Sequence, residues 1–214
     1  MNTNIISSNR LSPAEVLDDV LISVVLDASG SMSNVREETR IAANEYIHEL
    51  QSGTPVTFSL GVFNEKITWH VTEKAVDIVE DLKSRDYVTY GGTRLYDALG
   101  ESIARVEAMD VPPVHPVIVI FTDGQDAGSR EYTSKMLTPM IRERQARGWR
   151  FIAFIVGKKA RISAEKVGFL PGDIAEYAGD AVSTKKAFQR LAESTKKLVE
   201  AVEMKALPSA KFLV

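Results

Sequence analysis

The stretch 21-LISVVLDASGSMS-33 decides the fold. Leu21, Ile22, Val24, Val25 and Leu26 are apolar on both alternating faces, as in a strand covered on both sides within a parallel sheet flanked by helices. The run stops at Asp27. Asp27, Ser29 and Ser31 then fall at every second position, so one carboxylate and two hydroxyls can converge above the carboxyl end of the strand, where open α/β sheets bind their ligands. Oxygen donors of mixed charge suit a hard cation such as Mg²⁺, and the absence of Cys argues against zinc or copper. A plainer reading fits the loop equally well, because Ser and Asp also favour polar turns and helix starts, with Ser31 or Ser33 opening the next helix. The rest of the chain has to choose between them.

With 214 residues, the chain is long enough for one well-buried domain and short for two. Its 26 basic and 29 acidic residues are spread along the sequence and leave a net charge of −3. That balance gives no nucleic-acid footprint and no polybasic membrane patch. Lys158, Lys159 and Arg161 form the one tight basic cluster and read as a solvated loop. No disulfide framework is possible without Cys. The start, MNTNIISSNRLSPAEV, lacks the charged and apolar pattern of a signal peptide. Nor does any segment reach the ~18 apolar residues of a membrane span. A cytoplasmic protein, monomeric on its own, is expected.

Residues 1–18 read as a polar arm, 19–204 as the domain and 205–214 as a tail. Within the domain, Asn34 to Leu50 is predicted helical, Val56 to Phe63 a strand, and Ile67 to Val71 its antiparallel partner at the sheet edge. Ala75 to Leu82 reads as a short helix, with Val76, Val79 and Leu82 on one side. Leu95, Ala98, Leu99, Ser102, Ile103 and Val106 define one helical face, which makes a helix beginning at Thr93 the clearest in the chain. Pro112, Pro113 and Pro116 flank the entry to a second two-faced strand, Val114 to Phe121, which runs into Thr122-Asp123-Gly124. Arg130 to Arg147 reads as a helix burying Tyr132, Met136, Leu137, Met140 and Ile141, kinked at Pro139 or restarted there with Thr138 as cap. Then come a strand at 149–156 ended by Gly157, a short helix at 163–168, a short strand at 174–177 and a long helix at 184–203. This alternation predicts a doubly wound, mostly parallel α/β sheet with one antiparallel edge strand and helices on both faces.

In such a sheet Asp27, Thr93 and Asp123 return to one edge. Asp-x-Ser-x-Ser after a buried strand, Gly-Gly-Thr opening a helix, and a strand ending in Thr-Asp-Gly together resemble the von Willebrand factor type A (VWA) family and its metal-ion-dependent adhesion site (MIDAS). The likeness covers residues 20 to 203, and DASGSM is most similar to the bacterial intracellular branch. It implies a Rossmann-like fold and a Mg²⁺ site, with Mn²⁺ or Ca²⁺ as alternatives, formed by Asp27, Ser29, Ser31, Thr93 and Asp123. It also implies a protein partner that completes the metal shell with an Asp or Glu carboxylate. In the family such partners include ring-shaped ATPases and other operon-encoded proteins. Thr93 is expected at the surface of the site, with Met32, Asn34, Tyr90, Arg94, Gln125 and Asp126 around its rim.

A metal-dependent phosphohydrolase of haloacid-dehalogenase type is the competing reading, since it also starts from Asp at a strand end. That chemistry needs a second Asp two residues on, where this chain has Ser29. There is no G-x-S-x-G, phosphate loop or dinucleotide fingerprint, so no enzyme is expected. His48, His70 and His115, in three separate elements, read as structural, and Trp69 and Trp149 as packing residues.

Overall fold

The computed structural model describes residues 19–109 and 115–204. The expected arm, the tail and the Pro112-Pro113 entry lie outside these residues. Six strands, β1 (Val20–Asp27), β2 (Thr57–Phe63), β3 (Ile67–Ala75), β4 (His115–Thr122), β5 (Arg150–Ile155) and β6 (Ile174–Glu176), form one sheet in the order β3-β2-β1-β4-β5-β6. All neighbours are parallel except β3, which runs antiparallel to β2 at the edge. The mostly parallel α/β fold with one antiparallel edge strand is therefore as predicted.

Each central strand serves both faces. Val20, Ile22, Val24 and Leu26 join the core beneath α1 (Arg36–Gln51) and α5 (Ala181–Glu203). Leu21 and Val25 join the core beneath α2 (Leu95–Glu107), α3 (Ser134–Ala146) and α4 (Gly157–Val167). Because β1 leads to β2 on one side and pairs with β4 on the other, the topological switch lies between the ends of β1 and β4. Asp27 and Asp123 stand there. No helix among the described residues is long and apolar enough to cross a membrane.

Four helical expectations need correction. The expected helix over 75–82 is the end of β3, a single 3₁₀ turn at Val76–Ile78 and extended chain. Val76, Val79 and Leu82 are buried as expected, but side chains of α1 satisfy the backbone. Gln51 donates to the carbonyls of Val76 and Val79, while Asn44 both donates to Leu82 O and accepts from Leu82 N. Arg40 adds a bond to the same Leu82 carbonyl, and Arg36 holds those of Ser84 and Tyr87.

The helix expected at 163–168 begins six residues earlier, at Gly157, and ends on Gly168 in the left-handed region. Lys158, Lys159 and Arg161 are thus helical, and Arg161 pairs with Glu165 and Glu176. The helix expected from Arg130 starts at Ser134 with Thr133 as its cap, runs through Pro139, and leaves Met136 exposed. Thr138 is no cap, since its hydroxyl donates back to Ser134 O. Finally, a 3₁₀ segment at Gly30–Val35 precedes α1, which starts two residues later than predicted.

Candidate metal centre

Asp27 is fully buried at the end of β1, and both of its carboxylate oxygens are engaged. Oδ1 accepts the Ser29 N–H at 2.7 Å and Oδ2 accepts the Thr122 hydroxyl. From Ser29 a line of hydroxyls crosses to the neighbouring strand. Ser29 Oγ lies 3.1 Å from Ser31 Oγ, which donates to Asp123 Oδ1 at 2.8 Å.

Backbone contacts bring the Thr93 loop onto this line. Tyr90 N–H donates to Ala28 O, Gly30 N–H to Gly91 O, and Arg94 N–H to Asn64 O. Gly91 has φ +69°, a left-handed conformation open to glycine at little cost. Thr93 then pairs with Ala127, whose N–H donates to Thr93 O at 2.7 Å. A Cβ on Gly124 would stand 3.2 Å from Thr93 Oγ1, so the threonine rests on the backbone that follows Asp123. The structure thus brings together all five residues singled out in the sequence. Thr93 departs from expectation in one respect, being buried at 7% exposure rather than lying at the surface.

This packing makes Gly124 sensitive. Gly124→Ala is expected to push Thr93 aside by a few tenths of an ångström and to cost about 1 kcal/mol through crowding. Urea unfolding in chelator measures it. A variant as stable as wild type would mean that Thr93 has room to yield.

Burial is the chief cause that raises the Asp27 pKa, from 3.8 to about 6. The Thr122 and Ser29 hydrogen bonds pull the other way, and Asp123 adds a smaller upward push. Among the described residues neither Asp27 nor Asp123 forms an ion pair with a basic side chain. Two carboxylates and three neutral hydroxyls, close together and without a positive counterpart, fit a divalent oxygen-seeking ion. Among the described residues there is no cluster of three or more His, Cys, Asp or Glu, which leaves softer metals without a site of that kind.

Of the six expected rim residues, Tyr90, Asn34 and Gln125 are exposed and Arg94 is half-buried. Met32 is completely buried and cannot face a partner. Asp126 is committed locally, accepting from Tyr96 N–H and Ser129 Oγ. With Ser129 it caps the start of α2, because Arg94 at the N-cap position makes no side-chain bond. His48 contacts Asp81 at 2.7 Å in an exposed pair away from the site.

Two residues of the site were missed in the sequence. Thr122 was visible only as part of Thr-Asp-Gly, with nothing to show that its hydroxyl would hold Asp27. Tyr87, whose hydroxyl donates to Asp27 O at 2.6 Å, lies in a segment without periodic pattern.

A VWA-type fold is also what comparison with solved structures returns. The chain is similar to the PilB minor pilin from Streptococcus sanguinis (15% identity, 92% of this chain and 65% of that one, TM-score 0.64). It also resembles the von Willebrand factor type A protein from Catenulispora acidiphila (15%, 84% and 43%, TM-score 0.58). A third likeness is to proximal thread matrix protein 1 from the mussel byssus, whose structure has a zinc-occupied MIDAS motif (18%, 87% and 47%, TM-score 0.56). The chain therefore spans about two thirds or less of the length of these proteins, and at such identities the likeness is one of fold. No curated protein matches. Residues 3–153 match the family described as VWA domain containing CoxE-like protein, and the chain belongs to that family.

Proposed function

We propose that this VWA domain is a metal-dependent protein-binding module of the bacterial intracellular type, with a complete MIDAS. Asp27, Ser29, Ser31, Thr93 and Asp123 hold a divalent cation, Mg²⁺ foremost with Mn²⁺ or Ca²⁺ as alternatives, and an Asp or Glu of a partner protein completes its shell. When bound, the cation supplies a Lewis-acidic point that recognises an oxygen anion. The carrying observation is the hydrogen-bonded line from Asp27 through Ser29 and Ser31 to Asp123, two carboxylates and two hydroxyls gathered at the carboxyl edge of the sheet. The mussel protein holds zinc in its own MIDAS motif, so this fold can carry a divalent metal there.

The phosphohydrolase reading finds no support. That chemistry needs a second carboxylate two residues after the nucleophilic Asp, and Asp27 has none there. Its would-be acid/base partner is Ser29. The proposal is accordingly a non-enzymatic module working in the cytoplasm as a monomer, beside an ATPase or another operon-encoded protein, with no role for nucleic acid or membrane.

Thermal and urea unfolding with Mg²⁺ or with chelator tests the site. A ligand that binds only the native state stabilises it by about 2.7 kcal/mol at a hundredfold excess over Kd. Asp123→Ala is expected to remove that gain. If wild type and variant respond alike to Mg²⁺ and to chelator, there is no cation site here. Partner capture that survives chelator would remove the bridging role of the metal.

A further inference from the structure

Below the oxygen cluster the fold collects hydroxyls. Tyr87 reaches Asp27 O from the loop before the Gly91 turn. Tyr177, immediately after β6, stands edge-on to Phe121 with ring centroids 6.4 Å apart. Thr184 lies in the first turns of α5. Tyr177 is 9% exposed and Thr184 fully buried, yet neither hydroxyl has a hydrogen-bond partner among the described residues. Buried polar groups left so are uncommon enough to require a reason.

Their position supplies one. Phe188 of α5 stacks on Phe121 of β4 with centroids 4.0 Å apart. The helix starts at the carboxyl edge of the sheet and runs back across it, so Thr184, one turn before Phe188, is about 5 Å nearer that edge. Asp123, two residues beyond Phe121, is about 7 Å nearer the same edge. Thr184 and Asp123 thus both lie toward the carboxyl edge from the Phe121–Phe188 stack. Burial above all, with smaller additions from the fields of Asp123 and then Asp27, holds the pKa of the Tyr177 hydroxyl well above the usual tyrosine value.

We propose that Tyr177 is a positioning residue for the cation site, its hydroxyl donating directly or through one buried water to Asp123 in the metal-loaded protein, with Thr184 at the same edge of the sheet as a lesser contributor. The inference rests on the reading of Asp123 as a metal ligand. An ionised carboxylate has more acceptor positions than the Ser31 hydroxyl fills. A second donor fixes its orientation, and losing a partner of that kind commonly weakens a metal site 10- to 100-fold.

The test combines Mn²⁺ titration, with free ion read by electron paramagnetic resonance, and urea unfolding in chelator, on wild type, Tyr177→Phe, Thr184→Val and Asp123→Ala. Tyr177→Phe keeps the ring against Phe121 and removes only the unpartnered hydroxyl. It is expected to bind Mn²⁺ about tenfold more weakly while its metal-free stability equals or exceeds that of wild type. Thr184→Val should shift affinity in the same direction by a smaller factor. Unchanged Mn²⁺ affinity in Tyr177→Phe overturns the inference, and so does a fall in affinity matched by a fall in metal-free stability, which would mark a packing role. If wild type binds Mn²⁺ and Asp123→Ala does not, the cation site stands whatever Tyr177→Phe does. If wild type binds none, the site and this inference fall together.

Discussion

Metal-free protein carrying Asp27→Asn is expected to be more stable than wild type at pH 8, by as much as about 3 kcal/mol. The folded protein holds the Asp27 proton up to a pKa of about 6, whereas the unfolded chain releases it near 3.8. Proton binding to the native state therefore stabilises below pH 3.8, and that contribution is lost as pH rises through 6. Asparagine keeps an oxygen for the Ser29 N–H and can donate to Thr122, whose hydroxyl has Gly124 O, 3.5 Å away, as another acceptor. The difference in urea midpoint between the two proteins, followed from pH 4 to pH 8 in chelator, isolates Asp27 from other carboxylates. A difference independent of pH would mean that Asp27 is solvated like any surface acid. With Mg²⁺ present the order should reverse, since the wild-type site binds its cation more tightly as Asp27 ionises.

The largest loss is expected from Phe188→Ala, about 3–5 kcal/mol. Phe188 is 2% exposed and lies on Phe121, which in turn stacks on Phe154 at 4.6 Å, while Tyr46 of α1 approaches Phe188 at 6.2 Å. Truncation empties the middle of that stack, and neither the sheet nor α1 can close on the space. Val202→Ala, near the less buried end of α5, serves as the mild comparison. A Phe188→Ala cost under about 1.5 kcal/mol would mean that α5 is loosely docked. The core of a well-packed helix on a sheet does not yield that cheaply.

Strands buried on both faces were the most legible part of the chain. Leu21 to Leu26 and Val117 to Phe121 have no polar face to confuse the period, and the stripe from Leu95 to Val106 is apolar at helical spacing and buried throughout. The segment 76–82 misled because Val76, Val79 and Leu82 recur every third residue, a spacing that a helix and an irregular strap both satisfy. What decided between them was Asn44 and Gln51, some 25 to 40 residues away, offering their amides to the strap's backbone. The start of α4 was hidden for another reason. Its buried face is Ala160, Ser163, Ala164 and Val167, small residues that carry little hydropathy signal and allow close approach. At the site, Asp27, Ser29, Ser31, Thr93 and Asp123 could be read from three short motifs. Tyr87 could not, since its bond to Asp27 O comes from a side chain 60 residues away in the chain.

The two edges of the sheet carry a consequence for how the protein behaves when crowded. Exposed edge strands are where sheets of separate chains fuse and aggregate. Here β6 offers only three residues. β3 is bent by a register shift opposite Phe58 to Gly61, where Glu73 adopts φ +46° and gives its N–H to Ser59 Oγ. Trp69 ties the same strand to α2, donating to Glu101 at 2.9 Å beneath the Arg105 guanidinium. Among the described residues neither margin therefore offers a straight, flat template for a second copy. Concentrated protein should resist edge-to-edge fibre growth at the described strands.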